Sequence, residues 1–278
     1  MCSSDLWLIL WGMAKKVAIA DNLAPLVELV YSGPAKPAPA VVLGTVAFAL
    51  QIYGDFSGYS DIARGLARVL GFDLMVNFNL PYTATNPREF WQRWHMSLST
   101  WLRDYLYISL GGNRRGTART YVNLAVTMLL GGLWHGAAWN FVLWGAWHGA
   151  GLVVHRALCP QQQAARSKLT VALAWTATLA FVLFGWLLFR AGSFTHLTQL
   201  TLALGDWSAP SWLGGFVINL VCFGTPLVLM DLWQHRAQNQ LVALTIPAWG
   251  RALLQGALLL AILLYWDKQH VPFIYFQF

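Results

Sequence analysis

The stretch that decides the fold runs from Phe90 to His155. It begins FWQRWHMSLSTWLRDYLYISLGGNRRG (90–116) and, after a short apolar run, continues GGLWHGAAWNFVLWGAWHGAGLVVH (131–155). This stretch holds four of the seven histidines and seven of the sixteen tryptophans. Because the rest of the chain is mostly apolar, we interpret the stretch as a polar chemical centre, around His95 and His135, inside an apolar scaffold.

The composition indicates a membrane protein. Hydrophobic residues make up 57% of the 278 residues and charged residues only 10%, whereas a soluble domain carries about 25% charged residues. Such a deficit means that most of the surface does not face water. We therefore predict an all-α polytopic membrane protein in which residues 1–278 form a single membrane domain. The net charge of +7 lies in loops between apolar runs, which favours a membrane boundary and excludes nucleic acid as a partner.

Three apolar runs are long enough to cross a bilayer, namely Leu169–Phe189, Leu213–Trp233 and Ile246–Trp266. The basic residues between them predict that 155–168 and 234–251 lie on the cytoplasmic side. Lys15 and Lys16 likewise indicate a cytoplasmic membrane boundary near the start of the chain.

Charged residues follow directly on membrane-type sequence after Tyr53. Asp55, Asp61 and Arg64 either face a partner or a wet cavity, or they are solvated where a helix emerges at the interface. Gly58, like the glycine four residues before it, permits a close backbone approach or a break in the helix.

An amphipathic helix is predicted to begin at Asn86-Pro87-Arg88-Glu89, where Asn86 can cap and Glu89 sits at the capping-box position. Apolar residues follow at intervals of three or four, as expected for a helix that lies in the membrane interface: Phe90, Trp94, Leu98, Trp101, Leu102 and Tyr105. His95 flanks this apolar stripe and can point inward.

A re-entrant hairpin is predicted to carry His135. The run 121–133 has thirteen residues and spans only roughly 20 Å as a helix, so His135 would lie well inside the bilayer. The next apolar run, 137–154, returns to the basic side, which places a turn near Trp134–Asn140. Irregular backbone at that depth is tolerated only where protein or a water-filled cavity covers it.

Histidine proton transfer is the chemistry that the residues leave available. An ionisable group in apolar sequence is a functional-site hypothesis by default, and burial favours a neutral imidazole that can accept a proton. The alternative for His135 is a histidine that binds a backbone carbonyl and closes the hairpin. His148 lies thirteen residues after His135, on another helix face, and is expected to be structural or to line a cavity mouth. Neither the histidine spacing nor the three dispersed cysteines match a metal site, so no metal or bound cofactor is predicted.

The sequence resembles the membrane-bound O-acyltransferase family, and most closely its bacterial branch that acetylates polysaccharides such as alginate. The resemblance covers most of the chain and rests on five segments: YGDFSGYSDIARG (53–65), NFNLPY (77–82), FWQRWHMSLSTWLRDYLYISLGG (90–112), GGLWHGAAWNFVLWGAWHG (131–149) and PFIYFQF (272–278). Family members have further membrane helices before this point, so we expect that the chain is a C-terminal fragment.

The resemblance implies that His135 is the base or acyl-transfer centre and that His95 assists near the donor side. It also implies a tunnel across the bacterial inner membrane, through which an acyl group passes from a cytoplasmic thioester such as acetyl-CoA toward the outside. Periplasmic acetyl-relay proteins and a polysaccharide acceptor would be the partners, with membrane lipids around the protein. The residues expected to line the substrate path are Asp55, Asn86, Arg93, Trp94, Trp134 and Asn140.

Two other functions remain open from the residues alone. Within the same family the acceptor could be teichoic acid, through D-alanyl transfer, or a lipid. Outside it, the chain could be a transporter or scaffold in which His95 and His135 relay protons or pack. A transporter often carries inverted internal repeats, and the sequence has no evident repeat.

Overall fold

The computed structural model describes residues 3–159 and 167–266. Within these ranges every regular element is a helix, which confirms the predicted all-α class. The terminal PFIYFQF segment lies outside the described residues. The α-helices in chain order are α1 (Ser3–Met13), α2 (Asp21–Tyr31), α3 (Ala38–Val69), α4 (Pro87–Arg93), α5 (Met96–Trp101), α6 (Gly116–His135), α7 (Trp139–Leu158), α8 (Lys168–Arg190), α9 (Phe194–Ala203), α10 (Leu213–Ala237) and α11 (Ala248–Leu264).

The chain divides into two compact units. The first comprises the described residues of Met1–Val76 and Leu200–Phe278, and the second comprises Asn77–Gln199. Helices α1 to α3, α10 and α11 build the first unit, and helices α4 to α8 build the second.

Glycines bring α1 and α3 into backbone contact in the first unit. A Cβ atom built on Gly58 would lie 2.7 Å from the carbonyl oxygen of Gly12, and one built on Gly12 would lie 2.6 Å from that of Gly58. Because α3 continues unbroken for 32 residues, Gly58 serves close approach and does not break the helix. Small residues at such a crossing are typical of membrane helix pairs.

The charged residues of the first unit pair with one another. Lys15 donates to Asp61 at 2.6 Å and to the hydroxyl of Ser57 at 2.9 Å, and Lys16 lies 2.7 Å from Asp55. Lys15 is only 4% exposed, and the membrane boundary near Lys15 and Lys16 stays a prediction. Of the two interpretations of Asp61, the one in which its carboxylate faces a partner is confirmed.

The predicted single amphipathic helix of the second unit is interrupted, and that part of the prediction was wrong. Helix α4 ends at Arg93, α5 begins at Met96, and a π-helical segment follows at Leu102–Tyr107. The break occurs because His95 adopts left-handed backbone angles, with φ of +41° and ψ of +57°.

The predicted hairpin is confirmed as α6 and α7. Helix α6 ends at His135 and α7 begins at Trp139. Gly145 of α7 lies against the backbone of α6, since a Cβ atom built on it would be 2.5 Å from the carbonyl oxygen of Met128.

Three helices are long and apolar enough to cross a membrane: α3, α8 and α10. The last two confirm the helices predicted at 169–189 and 213–233, and their crossing of a membrane stays a prediction. The third predicted span, 246–266, is a helix of only 17 residues, which begins after Pro247 and is about 26 Å long.

Candidate functional site

His135 lies at the C-terminal end of α6, where the hairpin turns. Its half-buried ring contacts the edges or faces of aromatic rings from α7 and α8: Trp144 at 5.3 Å and Phe189 at 5.1 Å between centroids, with Phe141 at 6.2 Å. The turn residues beside it, Ala137 and Ala138, are exposed. Aromatic walls on one side and an open turn on the other leave the imidazole accessible to a reacting group.

His95 occupies the junction between α4 and α5. Its left-handed backbone turns the chain there, and its side chain is buried at 9% exposure, in agreement with the prediction that it points inward. Burial, and then the charge of His135, lower the pKa of His95 to about 3. The ring is therefore a neutral imidazole at physiological pH.

The structure brings His95 and His135 together. They are forty residues apart in sequence, yet a chain of ring contacts connects them. Trp94, next to His95, packs on Trp186 at 4.8 Å, Trp186 meets Phe189 at 5.8 Å, and Phe189 meets His135 at 5.1 Å between centroids. Both belong to the second unit. Two imidazoles from separate elements thus form one polar centre among aromatic side chains.

His148 lies in the aromatic core of the same unit and is 2% exposed. Its ring meets Trp91 at 5.1 Å, Trp144 at 4.9 Å and Phe181 at 5.2 Å between centroids. Gly185 leaves room for this ring, because a Cβ atom built there would be 2.6 Å from Nε2 of His148. His148 therefore packs, and it connects to His135 through Trp144.

Asn86 and Arg93 form hydrogen bonds at the two ends of α4. Asn86 caps the helix by accepting from the backbone N–H of Glu89 at 2.8 Å, as the sequence predicted. Arg93 donates to Glu89 at 2.6 Å and to the hydroxyl of Thr83 at 3.1 Å. Burial opposes the charge of Glu89, but hydrogen bonds from Thr85 and the guanidinium of Arg93 lower the pKa of its carboxyl.

The other predicted lining residues have distinct surroundings. Trp94 is 2% exposed and packs on Phe90 and Trp186. Trp134 is 60% exposed and meets His135 edge-on, and Asn140 donates to the carbonyl of Phe189 at 3.3 Å. Asp55 belongs to the first unit, where it pairs with Lys16. Contact with substrate remains a prediction for all of these residues.

A cavity that the sequence did not reveal lies in the second unit. It has a volume of about 1120 Å³, and its wall includes Trp91, Met96 and Met128 but neither His95 nor His135. Met96 directly follows His95, and Trp91 contacts His148. Besides apolar residues, basic and hydroxyl side chains line the cavity, among them Arg88, Ser99, Thr100, Arg103, Thr120, Tyr121, His155 and Arg156. Only the clustering of arginines between 88 and 156 hinted at this cavity.

The arrangement is suited to proton transfer and to binding an anionic molecule. A neutral imidazole can accept a proton or donate one N–H, and arginines bind phosphates and carboxylates. Among residues 3–159 and 167–266, no group of three or more His, Cys, Asp or Glu side chains could hold a metal ion.

Comparison with known proteins places this chain among acyltransferases. The model of the membrane-bound O-acyltransferase family matches residues 8–197. A probable alginate O-acetylase AlgI of Azotobacter vinelandii is 50% identical over 71% of this chain and 40% of its own length. The protein of the same name from Pseudomonas putida is 40% identical over 96% of this chain and 59% of its own length.

A more distant relative is named for another activity. The teichoic acid D-alanyltransferase of Streptococcus thermophilus is 32% identical over 40% of this chain and 28% of its own length. This chain spans between about two fifths and three fifths of the two alginate O-acetylases above. From the extent of the family match, we conclude that the chain belongs to the membrane-bound O-acyltransferase family.

Proposed function

We propose that this chain carries the reacting centre of a membrane-embedded O-acyltransferase. It moves an acetyl group from a cytoplasmic thioester toward an extracytoplasmic polysaccharide such as alginate. The observation that carries the proposal is that aromatic contacts connect His95 and His135 within one unit of a chain that belongs to this family. The probable alginate O-acetylases at 40–50% identity support acetyl as the acyl group.

His135 acts as the general base in this proposal. Its neutral imidazole takes the proton of the acceptor hydroxyl as the hydroxyl oxygen attacks the thioester carbonyl carbon. The C–S bond then breaks, the imidazole returns the proton to the departing sulfur, which leaves as the thiol, and the new C–O bond makes the ester. His95, which stays neutral, donates an N–H to the oxygen that becomes negative during the attack.

The cavity of the second unit supports a donor that contains phosphate. Its volume of about 1120 Å³ far exceeds that of an acetyl group, and pockets for drug-sized ligands measure about 300–1,000 Å³. Arg88, Arg103 and Arg156 line it, and guanidinium groups pair with phosphate oxygens. An acyl thioester such as acetyl-CoA satisfies both properties. The donor is a substrate, and the proposal needs no bound cofactor or metal.

The acceptor and partners follow from the alginate O-acetylases. The proposed acceptor is a polysaccharide outside the inner membrane, and periplasmic acetyl-relay or acetyltransferase proteins complete the transfer. D-alanyl transfer to teichoic acid is the second candidate, favoured by the Streptococcus thermophilus relative. The higher identity to the alginate O-acetylases favours acetyl transfer.

The test uses His135→Ala in the full-length protein, expressed in cells that lack the native gene. We expect polymer acetylation to fall by about two orders of magnitude or more, as for loss of a general base, while the protein remains in the membrane at its normal abundance. Acetylation is read from ester content of the purified polymer, and abundance from an immunoblot of the membrane fraction.

His235→Ala is the matched control, because His235 lies near the end of α10 in the first unit. This variant should acetylate normally. Full acetylation by His135→Ala would contradict the proposal and favour a transporter or scaffold. A polymer that carries D-alanyl esters in place of acetyl esters would support the second candidate.

A further inference from the structure

The backbone of His95 is held in a conformation that residues with a side chain rarely adopt. Only Leu80, His95 and Gln238 have positive φ among the described residues other than glycine. Such a conformation persists where the surroundings determine it, and it recurs at functional sites. The question is which neighbouring groups fix it at His95.

Asn77 and Asn79 hold the chain on both sides of His95. The backbone N–H of Asn79 donates to the carbonyl of Arg93 at 2.9 Å, and the N–H of Met96 donates to the carbonyl of Asn77 at 2.9 Å. The segment 77–79 therefore pairs with the residues before and after the left-handed position.

The side chain of Asn77 adds a second pair of hydrogen bonds. Its Oδ1 accepts from the backbone N–H of Ser97 at 3.1 Å and from the Ser97 hydroxyl at 2.8 Å. These bonds fix the first turn of α5 immediately after His95. Both use Oδ1 as an acceptor, so any side chain of this length with an acceptor oxygen can replace them.

We propose that Asn77 is a positioning residue that aims the imidazole of His95 by fixing the left-handed turn beneath it. The inference rests on the proposed function, in which His95 assists acyl transfer. Without the Oδ1 bonds, α4 and α5 lose one of the restraints that keep them from merging into a continuous helix, and the His95 ring leaves its position. A small displacement of a catalytic group costs up to about 100-fold in rate.

The experiment measures initial rates of acetyl transfer from radiolabelled acetyl-CoA in membranes containing the full-length protein. Asn77→Leu removes the acceptor, Asn77→Asp keeps it, and Asn219→Leu is the control because Asn219 is exposed in the first unit and its amide donates to the carbonyl of Gly215 in its own helix. We expect Asn77→Leu to lower kcat by about 10- to 100-fold with the KM for acetyl-CoA unchanged. Asn77→Asp should recover most of the rate, and Asn219→Leu should be near wild type.

A double variant separates positioning from general support of the fold. In a His95→Ala background, Asn77→Leu should cause no further loss of rate, because its effect passes through His95. An equal further loss, or failure of Asn77→Asp to restore the rate, overturns the inference while leaving the role of His95 intact. A fully active His95→Ala variant overturns the proposed role of His95 itself.

Discussion

At the scale of single residues, His95 combines two unfavourable features. A left-handed backbone costs roughly 1–2 kcal/mol for a residue with a Cβ atom, and burial removes the imidazole from water. Hydrogen bonds from segment 77–79 offset the first cost. The second cost is limited because the imidazole stays neutral, as its lowered pKa indicates. Both features make the residue sensitive to pH and to its neighbours.

The lowered pKa of His95 predicts a pH-dependent contribution to stability. In the unfolded chain the group titrates near 6.5, and in the folded chain near 3. As the pH falls below 6.5 the unfolded state binds a proton that the folded state does not, so stability decreases until about pH 3. Over that range the free energy of unfolding falls by about 1.4 kcal/mol for each pH unit.

We therefore expect the free energy of unfolding of wild type to fall by about 1.4 kcal/mol more than that of His95→Gln between pH 7.5 and pH 5.5. Thermal denaturation of each purified protein in detergent at the two pH values measures this difference. An unchanged difference would mean that His95 takes up its proton in the folded protein near the usual pH.

At the scale of elements, the periodicity of apolar residues located the helices but missed one break. Phe90, Trp94 and Leu98 follow one another at four-residue intervals, and this pattern continues across His95 as if α4 and α5 were one helix. The break depends on Asn77, which is about twenty residues away in sequence. Local spacing could not reveal it, because the bonds that impose it are not local.

Glycine at the crossing of α1 and α3 gives a prediction about packing. A Cβ atom at Gly58 would lie 2.7 Å from the carbonyl oxygen of Gly12, and neither backbone can yield without moving a helix. We expect Gly58→Ala to destabilise the protein by about 1–3 kcal/mol, the usual cost of overpacking. The measurement is the thermal denaturation midpoint in detergent.

Gly256→Ala is the matched control, since no atom of the described residues lies within 4 Å of a Cβ built at that position of α11. There alanine should be neutral or stabilise by up to about 1 kcal/mol through helix propensity. Equal destabilisation by the two substitutions would contradict the close crossing of α1 and α3.

The cavity, whose wall is built by α4, α5, the π-helical segment, α6 and α7, gives a prediction about the donor. Arg156 lines it, whereas Arg119 is exposed on α6 and does not line it. We expect Arg156→Gln to raise the KM for acetyl-CoA by about 10-fold, corresponding to loss of one charge-assisted bond to phosphate. Arg119→Gln should leave that KM unchanged. A KM that both variants leave at the wild-type value would place the donor elsewhere.

At the scale of the whole molecule, composition predicted the class of protein and the candidate spans better than it predicted their surroundings. Helix α3 is the most buried of the three, with 78% of its most apolar window buried, whereas the corresponding values for α8 and α10 are 33% and 28%. The charges that follow Tyr53 fit this difference, since Asp55 and Asp61 find partners inside the protein. The exposed apolar faces of α8 and α10 need a non-aqueous solvent.

That need leads to a prediction about membrane insertion. Leu229 lies within α10 and is 60% exposed. If its surface faces lipid, Leu229→Arg costs about 2.5–3.5 kcal/mol on insertion scales, and the amount of full-length protein in the membrane fraction should fall several-fold. If the surface faced water, the same substitution would change stability by less than about 0.5 kcal/mol.

Ala237→Arg is the control, because Ala237 is exposed at the end of the same helix beside Arg236. There an arginine can reach the interface and should leave membrane abundance unchanged, so equal abundance of both variants would show that α10 does not present Leu229 to lipid.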